Sequence, residues 1–234
     1  MLAIEHLDIF HGDAQAVSDV SIEVHEGAIV AIVGANGAGK TTLIRAIAGM
    51  HKPRRGRIRF RGQDIAGLPS HVVCNLGIGQ VAEGRQVFPS LTVRENLMMG
   101  GMTPRAKHRR AANMERMLAL FPRLRERLTQ AAGTLSGGEQ QMLAIARCLM
   151  GEPELVMFDE PSLGLSPALT QSVLETIVEL NKQGLACLLV EQNVAASLEL
   201  ASSAYVLENG SIILSGSGAQ LLQDDGVRRA YLGM

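Results

Sequence analysis

Nine consecutive residues have the types and spacing of a phosphate-binding loop. The first eight fit the pattern G-x-x-x-x-G-K-[ST], and a second threonine follows them. Glycines let backbone N–H groups point at phosphate oxygens, the lysine adds a positive charge, and the hydroxyl after it can bind Mg²⁺. We therefore predict that the phosphates of ATP or GTP bind at Gly34, Ala35, Asn36, Gly37, Ala38, Gly39, Lys40, Thr41 and Thr42.

Two adjacent carboxylates follow an apolar run at residues 155–158. Ligands of open α/β sheets bind at the carboxyl ends of the strands. We therefore predict that Asp159 binds Mg²⁺, directly or through water, and that Glu160 is the general base for an attacking water. A solvated acidic turn closed by Pro161 is the alternative, and the phosphate loop upstream makes it the less favoured one.

A serine, two glycines and a glutamate begin another predicted helix. Ser136 and Glu139 have the spacing of a capping box. Capping does not require Gly137 or Gly138, because each glycine inside a helix costs about 1 kcal/mol relative to alanine. Glycines at a helix start do leave N–H groups open to an anion, so we predict a second phosphate contact here.

The phosphate loop must lie between a strand and a helix, and the sequence predicts both. Residues 28–33 form an apolar run typical of a buried parallel strand, and Leu43, Ile44 and Ile47 recur at helical spacing. An ordinary glycine-rich turn would not explain a lysine at a helix N-terminus, where the helix dipole disfavours positive charge.

The remaining elements alternate along the chain. We predict strands at residues 2–9, 20–24, 58–60, 155–158, 186–190, 205–208 and 211–214, and helices at 169–180 and 194–201. The first three strands suggest an antiparallel layer, and the alternation after residue 151 suggests a parallel sheet with helices on both faces. Asn209 and Gly210 predict a hairpin with a type I′ turn.

Residues 104–128 form a basic stretch with Ala111, Met114, Leu118 and Phe121 at helical spacing, which predicts an inserted helical subdomain. Its arginines could form a polyanion-binding face, but glutamates interrupt them, so a solvated or protein-docking surface is favoured.

Composition excludes several classes of protein. The 234 residues carry a formal net charge of −1, which gives no overall attraction to nucleic acid or anionic lipid. No apolar run approaches the roughly 20 residues that span a bilayer, and the first residues do not resemble a signal peptide, so we expect a cytosolic chain. Cys74, Cys148 and Cys187 have apolar neighbours and are predicted to be reduced core residues.

The ordered motifs resemble the nucleotide-binding subunits of ATP-binding cassette transporters. The resemblance rests on LSGGEQQ at residues 135–141, placed between the phosphate loop and LVMFDEP, and it spans the chain. It implies an α/β fold with a RecA-like P-loop NTPase core and a mostly parallel sheet, an N-terminal antiparallel β layer and an inserted α-helical subdomain. It also implies one cassette domain, in which residues 1–84 and 151–234 form the core with the β layer and residues 85–150 the helical subdomain.

In that family two subunits stack head to tail and share two ATP molecules. The resemblance implies that the phosphate loop binds ATP and Mg²⁺ within its own subunit, while Ser136, Gly137, Gly138 and Glu139 face the ATP held by the partner. It implies three kinds of partner: a second ATPase subunit, two transmembrane permease subunits and, indirectly, a solute-binding protein; no nucleic acid is expected. The chain would be peripheral, on the cytoplasmic face of the inner (plasma) membrane, with residues 83–96 and the helical subdomain docking the permeases.

Finer similarity points to a subfamily. Residues 83–97, 159–167 and 190–193 are similar to one of the two paired ATPase subunits of branched-chain amino-acid importers. Importers of urea or short amides are close relatives, and a soluble non-transport cassette ATPase is the alternative of a different class. A small-molecule kinase would leave the glycines after Ser136 unexplained.

Four positions depart from the wider family. Glu83 stands where most members have a glutamine that senses Mg²⁺, Ser166 replaces an aspartate, and His11, beside Phe10, stands nearest the aromatic that stacks on adenine. Gln192 stands where most members have a histidine. We therefore predict that Glu83 contacts metal and nucleotide, that His11 contacts nucleotide, and that Gln192 acts in catalysis. Glutamine can donate a hydrogen bond to the γ-phosphate but cannot become cationic. We therefore predict that this subunit's own site hydrolyses ATP slowly and that the working unit is a heterodimer with two unequal ATP sites. A homodimer is possible for the isolated subunit.

Overall fold

The computed structural model describes residues 1–232, and the last two residues, Gly233 and Met234, lie outside the described part. Ten strands form two sheets within it. The strands are β1 (Leu2–His11), β2 (Ala14–Val24), β3 (Ile29–Val33), β4 (Arg55–Phe60), β5 (Gln63–Asp64), β6 (Ile78–Val81), β7 (Leu155–Asp159), β8 (Ala186–Glu191), β9 (Ser203–Glu208) and β10 (Ser211–Gly216).

Helices follow most strands of the larger sheet, and four of them lie between β6 and β7. In chain order, the helices of the described residues are α1 (Lys40–Ile47), α2 (Ser70–Leu76), α3 (Val93–Gly100), α4 (Arg110–Leu120), α5 (Pro122–Glu126), α6 (Gly137–Leu149), α7 (Pro167–Lys182), α8 (Val194–Leu200), α9 (Gly218–Gln223) and α10 (Asp225–Val227). Within residues 1–232, no helix is both long enough and apolar enough to cross a membrane.

The N-terminal sheet is antiparallel, with strand order β2-β1-β4-β5. Leu2 and Ile4 of β1 are buried, and so are Leu7 and Ile9. Ile4 and Leu7 are three residues apart, whereas side chains on one face of a regular strand are an even number of residues apart. The register shifts between Ile4 and Leu7, where His6 has a φ of 50°. A bulge of this kind returns the apolar side chains to the core face after the slip.

The larger sheet has the order β10-β9-β3-β8-β7-β6, and among its described strands only the β9–β10 pair is antiparallel. Strands β3, β7 and β8 are buried along their whole length, as expected for parallel strands covered on both faces. Their carboxyl ends meet at one edge, where Val33 pairs with Glu191 and Asp159 pairs with Val190. That edge carries the phosphate loop and the carboxylate pair.

The predicted α/β fold class is confirmed, with its parallel core, antiparallel layer and helices between β6 and β7. The hairpin is confirmed too, since Asn209 and Gly210 both have positive φ, 47° and 82°. The division at residues 84/85 and 150/151 stays a prediction.

Several local predictions were wrong. Strand β2 begins at Ala14, six residues before the predicted start at residue 20, and neither β6 nor α2 was predicted. In the basic stretch, Pro122 begins a separate helix, and Ala111 is exposed while Asn113 takes a place on the buried face of α4. The side chain of Asn113 donates to the Met150 carbonyl, which satisfies its amide in the core.

The cysteines differ in their surroundings. Cys187 is buried as predicted, but Cys148 is only half-buried and Cys74 is exposed. Burial raises the pKa of both the Cys148 and the Cys187 thiols to about 12. The prediction of a core position for Cys74 was therefore wrong, because this residue of α2 is exposed.

Candidate nucleotide-binding site

A cavity of about 500 Å³ opens at the carboxyl edge of the parallel sheet. Its walls come from the start of β2, the phosphate loop, the loop after β6 and the segments that follow β7 and β8. The residues lining it are His11, Ala16, Asn36, Gly37, Gly39, Lys40, Thr41, Thr42, Glu83, Glu160, Leu163 and Gln192.

The phosphate loop ends at a helix start that suits an anion. Gly39 precedes α1 with a φ of 106°, and a Cβ there would lie 2.6 Å from the Ala16 carbonyl oxygen, so only glycine fits. No side chain within residues 1–232 caps the helix, which leaves its first N–H groups open toward the cavity. The helix dipole adds partial positive charge at this end.

Lys40 is held across the loop. Its ammonium group donates to the carbonyls of Gly34 at 2.8 Å and Ala35 at 3.0 Å, and it lies 3.6 Å from Glu160 Oε1. The side chain is 4% exposed. A buried cation with these partners is fixed in position beside the open helix start, where a phosphate would reach it.

Glu160 lies between two candidate site residues. Its Oε1 faces Lys40, and its Oε2 accepts a 2.6 Å hydrogen bond from the side-chain amide of Gln192. Its backbone has a φ of 46°, which is unfavourable for a residue with a side chain. The strained turn aims the carboxylate into the cavity instead of along the strand.

Asp159 is 2% exposed at the end of β7, and its Oδ1 accepts a 3.1 Å hydrogen bond from the Thr41 hydroxyl. Burial is the main reason why the pKa of its carboxyl rises to about 6; the Thr41 hydroxyl lowers it, and the charges of Glu83 and Glu160 raise it further. Ionisation of Asp159 is therefore unfavourable when the site holds protein groups alone.

These groups fit a magnesium ion. Carboxylate and hydroxyl oxygens are the donors that Mg²⁺ prefers, and Asp159 and Thr41 bring one of each together. The described residues hold no group of three or more His, Cys, Asp or Glu side chains that could enclose a metal. A site with so few protein ligands is typical of an ion that nucleotide phosphates complete.

His11 faces the cavity, and Phe10 does not line it. His11 Nε2 lies 3.1 Å from the Thr42 hydroxyl, and its ring packs edge-on against His51 with centroids 4.7 Å apart. The Phe10 ring is covered by the Arg54 guanidinium, 4.6 Å from its centroid. Of the two aromatic candidates, only His11 lies where it could contact a base.

The helix start at Ser136 makes a complete capping box. Glu139 Oε2 accepts from the Ser136 backbone N–H and hydroxyl at 2.9 and 2.8 Å, and Glu139 Oε1 accepts from Arg127 Nε at 2.6 Å. Burial acts to raise the pKa of Glu139, but the Ser136 hydrogen bonds and the Arg127 charge outweigh it and hold that pKa below its ordinary value. Glu139 therefore orients Ser136.

The two glycines after Ser136 have close neighbours. A Cβ on Gly137 would lie 2.9 Å from the Arg85 guanidinium, and one on Gly138 would lie 2.7 Å from Leu169. A cation thus rests against this helix start. The cavity lining within residues 1–232 includes none of the residues from Ser136 to Glu139, so the structure does not bring the two predicted phosphate contacts together.

The structure groups most of the other predicted residues. Gly34 and Ala35 hold Lys40 through their carbonyls, and Ala38 is buried against the β9–β10 hairpin, its carbonyl accepting from Gly210 N. Asp159 lines an adjoining cavity that it shares with Glu83.

Sequence reasoning missed Ala16, Leu163 and Glu191. Ala16 and Leu163 line the cavity; no motif marks Ala16, and Leu163 lies in the segment 159–167 that resembles importer ATPase subunits but was assigned no role. Glu191 is 3% exposed beside Gln192; it lies in the segment 190–193 that resembles importer ATPase subunits, and as a charged residue at the end of an apolar buried strand it could have been singled out.

Comparisons with known proteins agree with this geometry. The sequence matches the family described as ABC transporter over residues 17–163. It is 49% identical to the high-affinity branched-chain amino acid transport ATP-binding protein BraG of Pseudomonas aeruginosa, with 100% of both chains covered. It is 35% identical to the probable branched-chain amino acid transport ATP-binding protein LivF of Archaeoglobus fulgidus, covering 100% of this chain and 99% of that protein.

Among solved structures, an ATP-binding cassette of an ABC transporter in its ADP conformation has a TM-score of 0.88 at 29% identity. The match covers 100% of this chain and 99% of that one. The similarity therefore extends beyond the motifs to the whole fold.

Proposed function

The chain belongs to the ABC transporter family, and we propose that it binds and hydrolyses ATP to drive solute transport across a membrane. The observation that carries the proposal is the position of Glu160 between Lys40 and Gln192 at the mouth of the phosphate loop. That arrangement provides a phosphate-binding cation, a base and a hydrogen-bond donor in one cavity.

Each group has a distinct part in the proposed reaction. Lys40 and the N–H groups at the start of α1 bind the β- and γ-phosphates. Bound Mg²⁺, held by Asp159 and Thr41, would neutralise phosphate charge. Glu160 accepts a proton from water while the oxygen of that water bonds to the γ-phosphorus. The bond between the γ-phosphorus and the bridging oxygen of ADP breaks, which leaves ADP and phosphate. Gln192 releases Glu160 and donates to the γ-phosphate.

His11 and Glu83 complete the cavity wall. We assign His11 to the nucleotide base, because its ring lies at the cavity edge beyond Thr42. We assign Glu83 to the water shell of the ion, because it lies near Asp159 and lines both cavities.

A second ATPase subunit fits the separation of the two phosphate contacts. We propose that Ser136, Gly137 and Gly138 contact ATP held by that partner, with the Arg85 guanidinium adding positive charge beside them. Because Gln192 cannot become cationic, turnover at this chain's own cavity is slow. The working unit is then a heterodimer whose second site hydrolyses faster.

The proposed permease contact lies beside residues 83–96. Phe88, Met98, Met99 and Met102 are exposed apolar side chains, and a cavity of about 300 Å³ opens between Phe88 and Met99. Arg147 lies there too, its guanidinium 4.8 Å from the Phe88 ring. Exposed apolar groups concentrated in this way mark protein interaction sites.

The identity of the transported solute is the most specific part of the proposal. We infer branched-chain amino acids from the 49% identity to BraG over the full chain. The same relationship supports a peripheral position at the cytoplasmic face of the membrane, against two permease subunits served by a solute-binding protein.

Turnover of the ATP bound at this chain's own site, measured with the purified chain, tests the proposal. We expect Mg²⁺-dependent release of phosphate, and we expect Glu160→Gln to lower it by about 10²-fold or more while ATP stays bound. Glu199→Gln, on the exposed face of α8, is the matched control and keeps full activity. Equal turnover in Glu160→Gln and the control would exclude Glu160 as the base.

Unequal sites are tested separately in the assembled complex. We expect a phosphate burst from one ATP per pair of ATPase subunits, with the second ATP retained at this chain. A burst of equal size from both sites would contradict the heterodimer with unequal sites. A complex that does not transport leucine would contradict the proposed solute.

A further inference from the structure

Glu191 is a buried carboxylate whose two oxygens accept hydrogen bonds from two different backbone segments. It ends β8, and it is 3% exposed. Its Oε1 accepts from the Ser162 N–H at 2.9 Å, and its Oε2 accepts from the Gln192 N–H at 3.2 Å. A carboxylate is unfavourable in the protein interior unless such donors compensate its lost hydration, so this placement has a structural purpose.

The first of these bonds holds the turn that carries Glu160. Pro161 has no N–H, so Ser162 offers the first free donor after Glu160. The Glu160 N–H itself donates to the Val190 carbonyl at 2.8 Å. The strained turn is thus attached to two consecutive residues of β8, Val190 and Glu191.

The second bond closes a ring of contacts. Glu191 holds the backbone of Gln192, and the Gln192 side chain donates to Glu160 at 2.6 Å. The ring runs from Glu160 through Ser162, Glu191 and Gln192 back to Glu160. We infer that Glu191 is a positioning residue that fixes the base-bearing turn and the γ-phosphate donor relative to each other. This inference rests on the proposed function, because its role is to align groups for ATP hydrolysis.

The chemistry of the two bonds requires a glutamate. Both donors are backbone N–H groups, and an ionised carboxylate is acceptor-only at both oxygens. Glutamine has the same shape, but its NH₂ group would face either the Ser162 or the Gln192 N–H. Glu191→Gln therefore loses one of the two attachments and leaves the packing intact.

Steady-state and single-turnover hydrolysis by the full chain test the inference. We expect Glu191→Gln to lower kcat by about 10- to 100-fold with little change in the KM for ATP, because a misplacement of about 1 Å has an effect of this size. Combined with Glu160→Gln, it should cause no further loss. Glu191→Asp, which keeps the charge but cannot reach both donors, should fall between wild type and Glu191→Gln.

The matched control is Glu154→Gln, which removes a half-buried carboxylate that pairs with Arg61 and Arg105 away from the cavity. It should lower the unfolding temperature and leave kcat unchanged. If Glu191→Gln behaves like this control, or if its loss adds fully to that of Glu160→Gln, the positioning role is wrong.

Amide hydrogen exchange separates this inference from the proposed function. We expect faster exchange of either the Ser162 or the Gln192 N–H group, whichever faces the new NH₂ group, in Glu191→Gln, whether or not the chain hydrolyses ATP. A wild-type chain that hydrolyses no ATP would overturn the proposed function alone. Unchanged exchange at both groups would overturn the part assigned to Glu191.

Discussion

Replacing Asp159 by asparagine tests the charge balance of the site. Burial raises the pKa of the Asp159 carboxyl to about 6, and the Glu83 and Glu160 charges add to the effect. Without a cation, the ionised carboxylate therefore destabilises the fold. Asparagine has the same shape and an oxygen that can still accept from Thr41. We expect Asp159→Asn to be more stable than the wild type when metal and nucleotide are absent.

The size of the effect follows from the pKa. A rise from 3.8 to about 6 is about 2 units. At 1.36 kcal/mol per unit this gives a free energy of unfolding higher by about 3 kcal/mol in the variant. In a chain of 234 residues, 1 kcal/mol shifts the unfolding midpoint by roughly 2–4 °C, so the gain is roughly 6–12 °C.

The sign depends on pH in a defined way. The folded chain holds the Asp159 proton more tightly than the unfolded chain does, because its folded-state pKa is raised. The wild-type penalty therefore appears as pH rises from about 4 to about 6, and it is complete above that range. The advantage of Asp159→Asn is about 1 kcal/mol, a third of its full size, at about pH 4.5 and is full at about pH 7.5.

Thermal unfolding in EDTA at both pH values measures the difference. Asp13→Asn, an exposed aspartate in the β1–β2 turn, is the control and should leave the midpoint unchanged. Adding Mg²⁺ and ATP should stabilise the wild type and the control much more than Asp159→Asn. A variant no more stable than wild type at about pH 7.5, or an advantage of equal size at both pH values, would refute the reasoning.

Three further substitutions address other parts of the site. Lys40→Ala removes the buried ammonium, so ATP affinity measured by calorimetry should fall by about 10²-fold or more; a smaller change than tenfold would mean that the loop N–H groups suffice. Gln192→His should speed single-turnover hydrolysis about tenfold near pH 6, where histidine is cationic, and the gain should shrink by pH 8; a pH-independent ratio would argue against charge as the cause. Gly39→Ala should lower the free energy of unfolding in urea by about 2 kcal/mol or more, since its Cβ would lie 2.6 Å from the Ala16 oxygen; wild-type stability would show that the loop can rearrange.

Local patterns determined which elements could be predicted. Strands β3, β7 and β8 are unbroken apolar runs, and their bounds match the predictions to within one residue. Strand β6 is not such a run, because Gly79 and Gln80 interrupt it. It forms by pairing with β7, and Gly79 lets α6 approach so closely that a Cβ would lie 2.6 Å from the Cys148 sulfur. That packing joins residues distant in sequence, so no local pattern carries it.

In the candidate site, too, local features could be predicted and contacts between distant residues could not. Residues within a motif were found because each motif carries its own chemistry, as the Ser136–Glu139 capping box does. Contacts between motifs were not found. The hydrogen bond from Gln192 to Glu160 and the bond from Ser162 to Glu191 each join residues about thirty positions apart, and they exist because β7 and β8 are neighbours in the sheet. The roles assigned to these residues stay predictions.

The unequal exposure of the cysteines makes the native chain suitable for site-selective labelling. Cys187 is buried, and Cys148, with a pKa of about 12, stays a protonated thiol near neutral pH. Maleimides react with thiolates, so Cys74, the most exposed of the three cysteines, takes the label first, although partial loss of hydration at its sulfur raises its pKa and slows the reaction. Cys74 shares the cavity of Phe88 and Met99. A fluorophore there would test the proposed permease contact at this cavity, without any engineered residue.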